Sequence, residues 1–272
     1  MSIRGLAEKL SRGKVLRRHL PRRFGNLLMY VTPEAGLRYW GTLSNVDSVL
    51  YGMAEELVRP GAVVWDIGAN VGLFTFCSSS LSGTSGFVLA IEPDVWLAHL
   101  ITRSAQASPR DRCSNVGVLC ASVSDSIGVP QLQIAERARA SNYLTEASGS
   151  TQALGSRGVQ PTVTVTLDSL LDYFPAPSVL KIDVETHETS VLRGAKKLLR
   201  DVRPIIWCEV SEENSVAVTE LLHAAHYELW GAALQPHPPI ERAWFHTLAV
   251  PAGVDWRQNS KQPNSSADAL RS

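Results

Sequence analysis

Residues 63–75 read VVWDIGANVGLFT, and this stretch decides the fold. The run from Ala62 to Ile67 is almost continuously apolar, which is typical of a strand buried on both faces of a parallel sheet. A glycine-rich turn follows directly, and Leu73 to Ser80 can form a helix that packs back on the strand. The stretch therefore predicts a strand–turn–helix unit.

The same alternation of buried strand and helix continues on both sides of this unit. Helices are predicted at Asn45–Val58, with Ser44 or Asn45 as its cap, and at 93–105 and 215–226. A further helix is predicted after the strand at 179–184, with an apolar face that runs from Val191 to Val202. Further strands are predicted at 87–91, 116–121, 179–184 and 205–210, with a closing antiparallel pair at 227–230 and 244–250. Right-handed crossovers place such strands side by side. We therefore expect an α/β fold, a doubly wound, Rossmann-like, mostly parallel seven-stranded sheet.

One segment breaks the alternation. Residues 129–134 and 162–166 alternate polar and apolar side chains, as half-exposed antiparallel strands do. The polar stretch between them, residues 141–157, is expected to be a mobile tip. We predict an inserted β-hairpin, or flap, over one edge of the sheet.

Charge and composition divide the chain into three parts. Lys plus Arg balances Asp plus Glu at 26 each, so no overall field gathers nucleic acid. The first 23 residues nevertheless carry eight basic residues against one acid. We expect residues 1–43 to be a basic extension, 44–257 the functional domain and 258–272 a disordered tail. The extension is expected to be solvated and partly helical, although weak contact with a membrane or an acidic partner stays open.

Several features indicate a cytoplasmic protein. No apolar run is long enough for a signal peptide or a membrane span. The four cysteines lack CxxC spacing and are expected to be reduced thiols.

The glycine turn has the pattern D-x-G-x-N-x-G, formed by Asp66, Gly68, Asn70 and Gly72. Gly68 permits a backbone conformation that side chains resist, and Gly72 allows close packing of the helix. Asp66, at the end of the strand, can accept a hydrogen bond from a ligand ammonium group. Ala69 lies within the same turn and is a further candidate contact.

A second acid follows the next strand, in the segment Ile91-Glu92-Pro93. Glu92 can accept hydrogen bonds from both hydroxyls of a ribose, and nucleosides bind at the carboxyl ends of strands in such sheets. A dinucleotide site requires G-x-G-x-x-G, but Asn70 stands where the second glycine would be. The pattern indicates a nucleoside ligand without a pyrophosphate and disfavours a nicotinamide-linked oxidoreductase.

Three blocks of sequence resemble the FkbM-like methyltransferases, a family of class I S-adenosylmethionine enzymes. They are residues 63–75; IEPD at 91–94; and TLDSLLD, VLKIDVETHETSVLRGAKKLL and IIWCEV between 166 and 210. The resemblance implies methyl transfer from S-adenosylmethionine to a hydroxyl of a small molecule, polyketide, sugar or glycolipid. A nitrogen acceptor, or a non-catalytic binding module with this fold, remains an alternative.

The block KIDVETHE, residues 181–188, ends a buried strand with three acids and a histidine. Methyl transfer needs a base, and a histidine has an ordinary pKa of about 6.5. The candidate bases are His187, Glu188 and Glu185. Asp183 is expected at the cofactor or the acceptor, while Lys181 is expected to pair structurally. The spacing defines no ligand set, so no metal is predicted.

Six further positions complete the expected site. Pro93 and Ser122 are placed beside the nucleoside, Glu209 can face the same pocket, and residues 141–143 are a candidate acceptor clamp. The family usually has glycine where this chain has Thr186. That threonine is expected to cap the following helix or to narrow the acceptor pocket.

Overall fold

The computed structural model describes residues 8, 10–136, 138–145 and 155–257. The predicted tail at 258–272 and most of the predicted mobile tip of the flap, residues 146–154, lie outside this part of the chain.

The strands are, in chain order, β1 (Leu16–His19), β2 (Leu28–Val31), β3 (Val63–Ile67), β4 (Phe87–Ile91), β5 (Asn115–Leu119), β6 (Ser122–Val123), β7 (Gln131–Ala135), β8 (Tyr143–Leu144), β9 (Ser156–Pro161), β10 (Thr164–Val165), β11 (Val179–Ile182), β12 (Ile205–Cys208), β13 (Tyr227–Gly231) and β14 (Thr247–Pro251). The α-helices are α1 (Ser48–Leu57), α2 (Leu73–Ser82), α3 (Val95–Ala107), α4 (Leu167–Leu170), α5 (Glu188–Arg193) and α6 (Ser215–Ala224). Short 3-10 turns and one π-turn (Leu198–Val202) complete the described elements.

Seven strands form the main sheet, in the order β13-β14-β12-β11-β3-β4-β5. The five strands from β12 to β5 are parallel, and β14 runs antiparallel between β12 and β13. The prediction of a doubly wound α/β sheet with a closing antiparallel pair is confirmed. The long predicted helix after β11 is shorter, because α5 ends at Arg193 before the π-turn.

Alternate residues of each central strand enter different cores. Val64 packs into the core on one face of the sheet, and its neighbour Trp65 packs into the core on the other. Both side chains are fully buried. Burial on both faces explains why these strands appear in the sequence as unbroken apolar runs.

Side chains cap two of the helices that surround the sheet. Asp47 accepts a hydrogen bond from the amide of Leu50 at 3.0 Å and caps α1, so the predicted caps Ser44 and Asn45 are wrong. Asp94 caps α3 in the same manner, through the amide of Trp96 at 2.9 Å.

The flap is a three-stranded antiparallel sheet with the order β8-β7-β9. The first predicted flap strand corresponds to β7. The second predicted flap strand, at 162–166, was wrong, because β7 pairs with residues 156–161 instead. Thr164 instead pairs in parallel with Ser122, and its side chain is buried. The alternation at 162–166 therefore reflects packing against β6.

The segment that precedes α1 shares a core with the main sheet. β1 and β2 form an antiparallel hairpin, and 3-10 turns follow at 33–35 and 37–40, where a partly helical extension was expected. Phe24, Met29 and Tyr39 are buried within the same core as Val64. Basic side chains such as Arg17 stay at the surface. The predicted boundary at residue 43 remains a prediction, but the described part of this segment is not detached from the sheet.

Within the described ranges, no helix has the length and apolar character needed to cross a bilayer.

Candidate active site

A cavity of about 320 Å³ lies between the carboxyl ends of the main strands and the flap. Its volume falls within the usual range for small-molecule sites. The wall contains Arg38, Asp47, Gly68, Asn70, Glu92, Pro93, Ser122, Asn142, Tyr143, Asp183, Glu185, His187, Glu209 and His246, among others. Six of the nine predicted cofactor residues are therefore together, namely Gly68, Asn70, Glu92, Pro93, Ser122 and Asp183.

The glycine turn brings the backbone of β3 to the cavity. Gly68 has φ +75°, and a Cβ there would overlap the carbonyl oxygen of Asp183. The amides of Gly68 and Ala69 both donate to the carbonyl of Ile91 at 3.0 Å, so this backbone is fixed to β4. Gly72, with φ +85°, begins α2 behind the wall. Ala69 and Gly72 therefore shape the turn without lining the cavity.

Glu92 is held by backbone amides at the end of β4. Its Oε2 accepts from the amide of Asn70 at 2.8 Å, and its Oε1 accepts from the amide of Asp94 at 2.9 Å. The side chain is only 5% exposed. Burial raises the pKa of Glu92 to about 8, despite the two amide hydrogen bonds that oppose this shift.

Asn70 has a positive φ of 55°, which asparagine tolerates better than most residues. Its side-chain Oδ1 is buried at the cavity wall and accepts no hydrogen bond from any described residue. Such an atom is costly to bury unless a ligand or water donates to it.

Asp66 does not reach the cavity. It is completely buried, its Oδ2 accepts from the hydroxyl of Thr75 at 2.6 Å, and its Oδ1 lies 3.3 Å from Nζ of Lys181. The sequence suggested a ligand contact because a strand end faces the crevice, but α2 covers this carboxylate through Thr75.

Lys181 links Asp66 to the cavity, since its Nζ also lies 3.0 Å from Oδ2 of Asp183. Burial lowers the pKa of Lys181, but Asp183 and Asp66 more than offset burial, so its pKa is raised and it stays charged. Lys181 thereby fixes Asp183 at the middle of the cavity wall. The structural pairing expected for this lysine is present.

The candidate bases of the KIDVETHE block separate in the structure. His187 and Glu185 line the cavity. The Nε2 atom of His187 lies 3.0 Å from the hydroxyl of Ser124, which follows β6.

Glu188 turns away from the cavity and is 2% exposed. Its carboxylate accepts hydrogen bonds from the Ser211 hydroxyl at 3.1 Å and from Asn214 Nδ2 at 2.5 Å. Burial raises its pKa. The prediction that Glu188 is a base over the crevice is wrong, because this carboxylate joins α5 to the loop before α6.

The turn before α5 has an unusual backbone. Thr186 adopts φ +58°, a left-handed conformation that is unfavourable for a β-branched residue. Its carbonyl accepts a hydrogen bond from Asn214 Nδ2 at 2.9 Å, while His187 occupies the N-cap position of α5. Thr186 neither caps the helix nor lines the main cavity, and it borders a separate polar pocket. The positive φ explains why the family usually has glycine at this position.

Glu209 and His246 form the wall at the end of β12 and the start of β14. Glu209 Oε1 lies 3.9 Å from His246 Nδ1. Burial and the nearby Asp183 raise the pKa of Glu209 to about 8, and burial lowers the pKa of His246. The His246 ring packs against Trp207 and Phe245, with centroid distances of 6.2 Å and 4.8 Å.

Arg38 and Asp47 cover the same end from the segment before α1. Arg38 Nη1 lies 3.0 Å from Asp47 Oδ2. Sequence reasoning missed Arg38, Asp47 and His246, since none belongs to a motif. Asp47 had a usable signal, because an acid directly before an apolar helical pattern is a common N-cap.

An ion-pair network fastens the flap over the cavity. Arg139, at the start of the flap turn, lies 2.5 Å from Asp94 and 3.1 Å from Glu34 through different nitrogens. Arg157 of β9 also pairs with Glu34. Asn142 donates to Asp94 at 2.8 Å, and Ser141 is buried behind the wall. Of the predicted acceptor clamp, only Asn142 and Tyr143 line the cavity.

Among the residues that the structure describes, His, Cys, Asp and Glu side chains form no group of three suited to hold a metal ion.

Comparisons with known proteins agree on one chemistry. A family model described as the methyltransferase FkbM domain matches residues 66–230. Hexuronic acid methyltransferase AglP of Haloferax volcanii is 27% identical over 165 residues, covering 60% of this chain and 62% of that relative.

Two solved structures are similar at a lower level. The methyltransferase FkbM from Methylobacillus flagellatus KT has a TM-score of 0.45 and 15% identity, covering 74% of this chain and 50% of that one. An O-methyltransferase from Thermotoga maritima has a TM-score of 0.42 and 12% identity, covering 74% of this chain and 64% of that one. The chain thus spans less than two thirds of the length of each of these relatives.

Proposed function

The chain belongs to the family of methyltransferases that carry the FkbM domain, and from this premise we propose that it methylates a hydroxyl of a small molecule, sugar, glycolipid or polyketide with S-adenosylmethionine. The observation that carries the proposal is a single cavity with distinct groups at its two ends. Glu92 and Asn70 occupy one end, and Glu209 and His246 occupy the other.

The first end fits a nucleoside. The Glu92 carboxylate is positioned to accept hydrogen bonds from ribose hydroxyls, and the buried Oδ1 of Asn70 requires a donor. Leu97, Pro93 and Val123 offer apolar surface for a base. When bound, S-adenosylmethionine supplies an electrophilic methyl group on its sulfonium.

The strand order divides the cavity into two regions. Neighbouring strands are about 4.8 Å apart, so the three intervals from β5 through β4 and β3 to β11 span about 14 Å. We assign this region to the nucleoside and amino-acid parts of the cofactor. The region over β12 and β14 is then left for the acceptor, with Arg38 and Asp47 above it. The relative named hexuronic acid methyltransferase supports a sugar as one acceptor class.

Alignment of donor and acceptor is the largest expected contribution to the rate, about 7 to 11 kcal/mol. A base at the acceptor end takes the hydroxyl proton and adds a factor of about 10² to 10⁴. Glu209 and His246 are placed for this role, because the lowered pKa of His246 keeps its ring neutral and able to accept a proton. The Nε2 atom of His187 instead lies 3.0 Å from the hydroxyl of Ser124, which lines the separate polar pocket.

The experiment that tests the class is calorimetric titration with S-adenosylmethionine, S-adenosylhomocysteine and NADH. We expect micromolar binding of the two adenosyl ligands and none of NADH. Glu92→Ala should weaken binding, whereas Asp111→Asn, an exposed change before the amino end of β5, should leave it unchanged. Preference for NADH, or equal effects of the two substitutions, would contradict the proposal.

The base assignment needs an acceptor, which a screen of hydroxylated metabolites can supply. Glu209→Gln and His246→Ala should each retain binding of S-adenosylhomocysteine and lower kcat by about 10². His187→Ala, the substitution that the sequence alone favoured, serves as the comparison. A large loss of kcat in His187→Ala alone would return the base to His187.

A further inference from the structure

A phenylalanine ring stands exposed on the wall of the main cavity. Phe245 is 59% exposed and lines the acceptor end, the region over β12 and β14. The large aromatic side chains exposed in the described part of the chain are Trp40, Tyr173, Trp244 and Phe245, and of these four only Phe245 lines this cavity. An apolar ring that faces water at a binding site gains free energy when a ligand covers it. Phe245 therefore indicates an acceptor with an apolar face.

The Phe245 ring is held in place from behind. Its backbone carbonyl accepts a hydrogen bond from the Val210 amide at 3.1 Å, which ties it to the residue that follows Glu209. Its ring meets the His246 ring edge to face, with centroids 4.8 Å apart and planes at 71°. The His246 ring lies in turn 6.2 Å from the buried ring of Trp207. A surface fixed in this manner is preorganised, so less entropy is lost when a ligand stacks on it.

Hydrogen-bonding groups lie at the same end of the cavity as this ring. Asp47, Asp183 and Glu209 all line the wall there. Asp47 is fixed by Arg38 at 3.0 Å, and Asp183 is fixed by Lys181 at 3.0 Å. A carboxylate offers about four lone-pair sites, so one that is paired with a cation can still accept from a hydroxyl. The acceptor end thus combines one apolar surface with several positioned hydrogen-bond acceptors.

A pyranose ring matches this combination, because its C–H groups form an apolar face and its hydroxyls project from the rim. Resting on the proposed function, we infer that the acceptor is a pyranoside whose C–H face stacks on Phe245 while its hydroxyls donate to the surrounding carboxyl groups. Phe245 then selects a sugar ring over an open-chain polyol, which has similar hydroxyls but no rigid apolar face. It binds the acceptor and takes no part in proton transfer.

Saturation-transfer NMR on the full chain loaded with S-adenosylhomocysteine tests this contact. The probes are the methyl β-glycosides of glucose, galactose and mannose, with sorbitol and catechol as comparisons. At least one glycoside should receive saturation, and sorbitol should receive less by about fivefold or more. Equal transfer to sorbitol overturns the inference, and so does transfer to catechol alone or to none of the probes.

Substitutions at Phe245 test whether this ring makes the contact. Phe245→Ala should lower the glycoside signal by about tenfold, whereas Phe245→Trp should retain it, because the larger ring still stacks. Tyr173→Ala is the matched control, since it removes another exposed aromatic ring that lies outside the cavity, and it should leave the signal unchanged. A glycoside signal that survives in Phe245→Ala contradicts the stacking.

Turnover of a glycoside that binds separates stacking from mere support of the His246 ring. Phe245→Ala should raise KM for the glycoside by about tenfold with little change in kcat, as loss of uniform binding does. A fall in kcat at unchanged KM would make Phe245 a support for His246 and overturn the inference. Calorimetry distinguishes the two proposals. Failure of the unsubstituted chain to bind S-adenosylhomocysteine contradicts the methyltransferase assignment, whereas binding without any dependence of the glycoside on Phe245 contradicts the stacking alone.

Discussion

At the scale of single residues, the proposed contact of Glu92 with the ribose would couple cofactor binding to protons. Its pKa is raised to about 8 by burial, so it is largely protonated at pH 7 before a ligand binds. Ribose hydroxyls bind the ionised carboxylate more strongly than the protonated acid. The Kd for S-adenosylhomocysteine should therefore fall as pH rises from 6 to 8, by up to about tenfold per pH unit, and then level off.

Calorimetry in buffers of different ionisation enthalpy measures the same coupling, because binding below pH 8 should release a proton. Glu92→Gln should weaken binding by roughly 10- to 150-fold and remove the pH slope. Glu209, whose pKa is also raised to about 8, provides the control. A slope that persists in Glu92→Gln but disappears in Glu209→Gln would assign the proton to the acceptor end.

Thr186 stores backbone strain that a glycine would relieve. A residue with a side chain is destabilised by roughly 1 to 2 kcal/mol in the left-handed conformation. Glycine removes this penalty, but its greater conformational freedom in the unfolded chain offsets part of the gain in stability. Thr186→Gly should therefore raise the free energy of unfolding by about 1 kcal/mol, measured by urea denaturation. Thr186→Ala should give no such gain, because alanine keeps the penalty. Equal stability of the two variants would show that the φ of 58° is not strained.

Residues with local signals were predictable, and residues positioned by distant contacts were not. Glu92 and Gly68 stand at fixed distances from strand ends, so their place on the cavity follows from the order of elements. His246 depends on the insertion of β14 between β12 and β13. Glu188 was misplaced because its direction follows from the positive φ of Thr186, which the residue type does not suggest.

At the scale of elements, the flap is held closed by charge. Arg139 joins Asp94, the N-cap of α3, to Glu34 of the segment before α1. Arg139→Met should speed amide exchange in β7 and β8, measured by mass spectrometry, and weaken cofactor binding. The expected loss is a few-fold to tenfold, because Asn142 and Arg157 still engage the two carboxylates.

Arg112→Met, an exposed change before the amino end of β5, is the control and should leave exchange in β7 and β8 unchanged. Lowering the pH should speed amide exchange in β7 and β8, as Arg139→Met is expected to do. Burial raises the pKa of Glu34, but Arg157, the Gly13 amide and Arg139 lower it further, so its pKa is depressed overall. The stabilisation from this carboxylate is present above its unfolded pKa and is lost as pH falls through the folded value. If neither Arg139→Met nor acid changes amide exchange in β7 and β8, the flap does not depend on this network.

The elements themselves were predicted to different accuracy. Central strands such as β4, expected at 87–91 and found at Phe87–Ile91, are marked by continuous apolar runs between turns. The flap strands are exposed on one side, and residues 156–165 divide between two distant partners. Residues 156–161 pair with β7, whereas residues 164–165 pair with β6. Alternation alone contains no information about that choice.

At the scale of the whole molecule, the segment before α1 belongs to the core. Phe24 is fully buried, so Phe24→Ala should lower the free energy of unfolding by about 3 to 5 kcal/mol. The exposed Arg17→Ala should change it by no more than about 0.5 kcal/mol. Chemical denaturation compares the two. A small effect at Phe24 would mean that this segment is dispensable for the fold.

The basic charge of the same segment is partly used inside the molecule. Arg12 pairs with Glu136, Arg23 pairs with Glu55, and Arg18 donates to the carbonyls of Trp40 and Gly41. Contact with a membrane or an acidic partner through this segment remains a prediction. The arginines that form these bonds are less available for such contact than they would be in a fully solvated extension.

The position of β14 also has a consequence during protein synthesis. The cofactor end is built from strands in the middle of the chain, whereas His246 directly precedes β14, the final strand of the described sheet. A nascent chain on the ribosome can complete the nucleoside half of the cavity while the acceptor half still lacks one wall. The proposed acceptor end is therefore the last part of the cavity to be completed, after β14 has been translated and inserted.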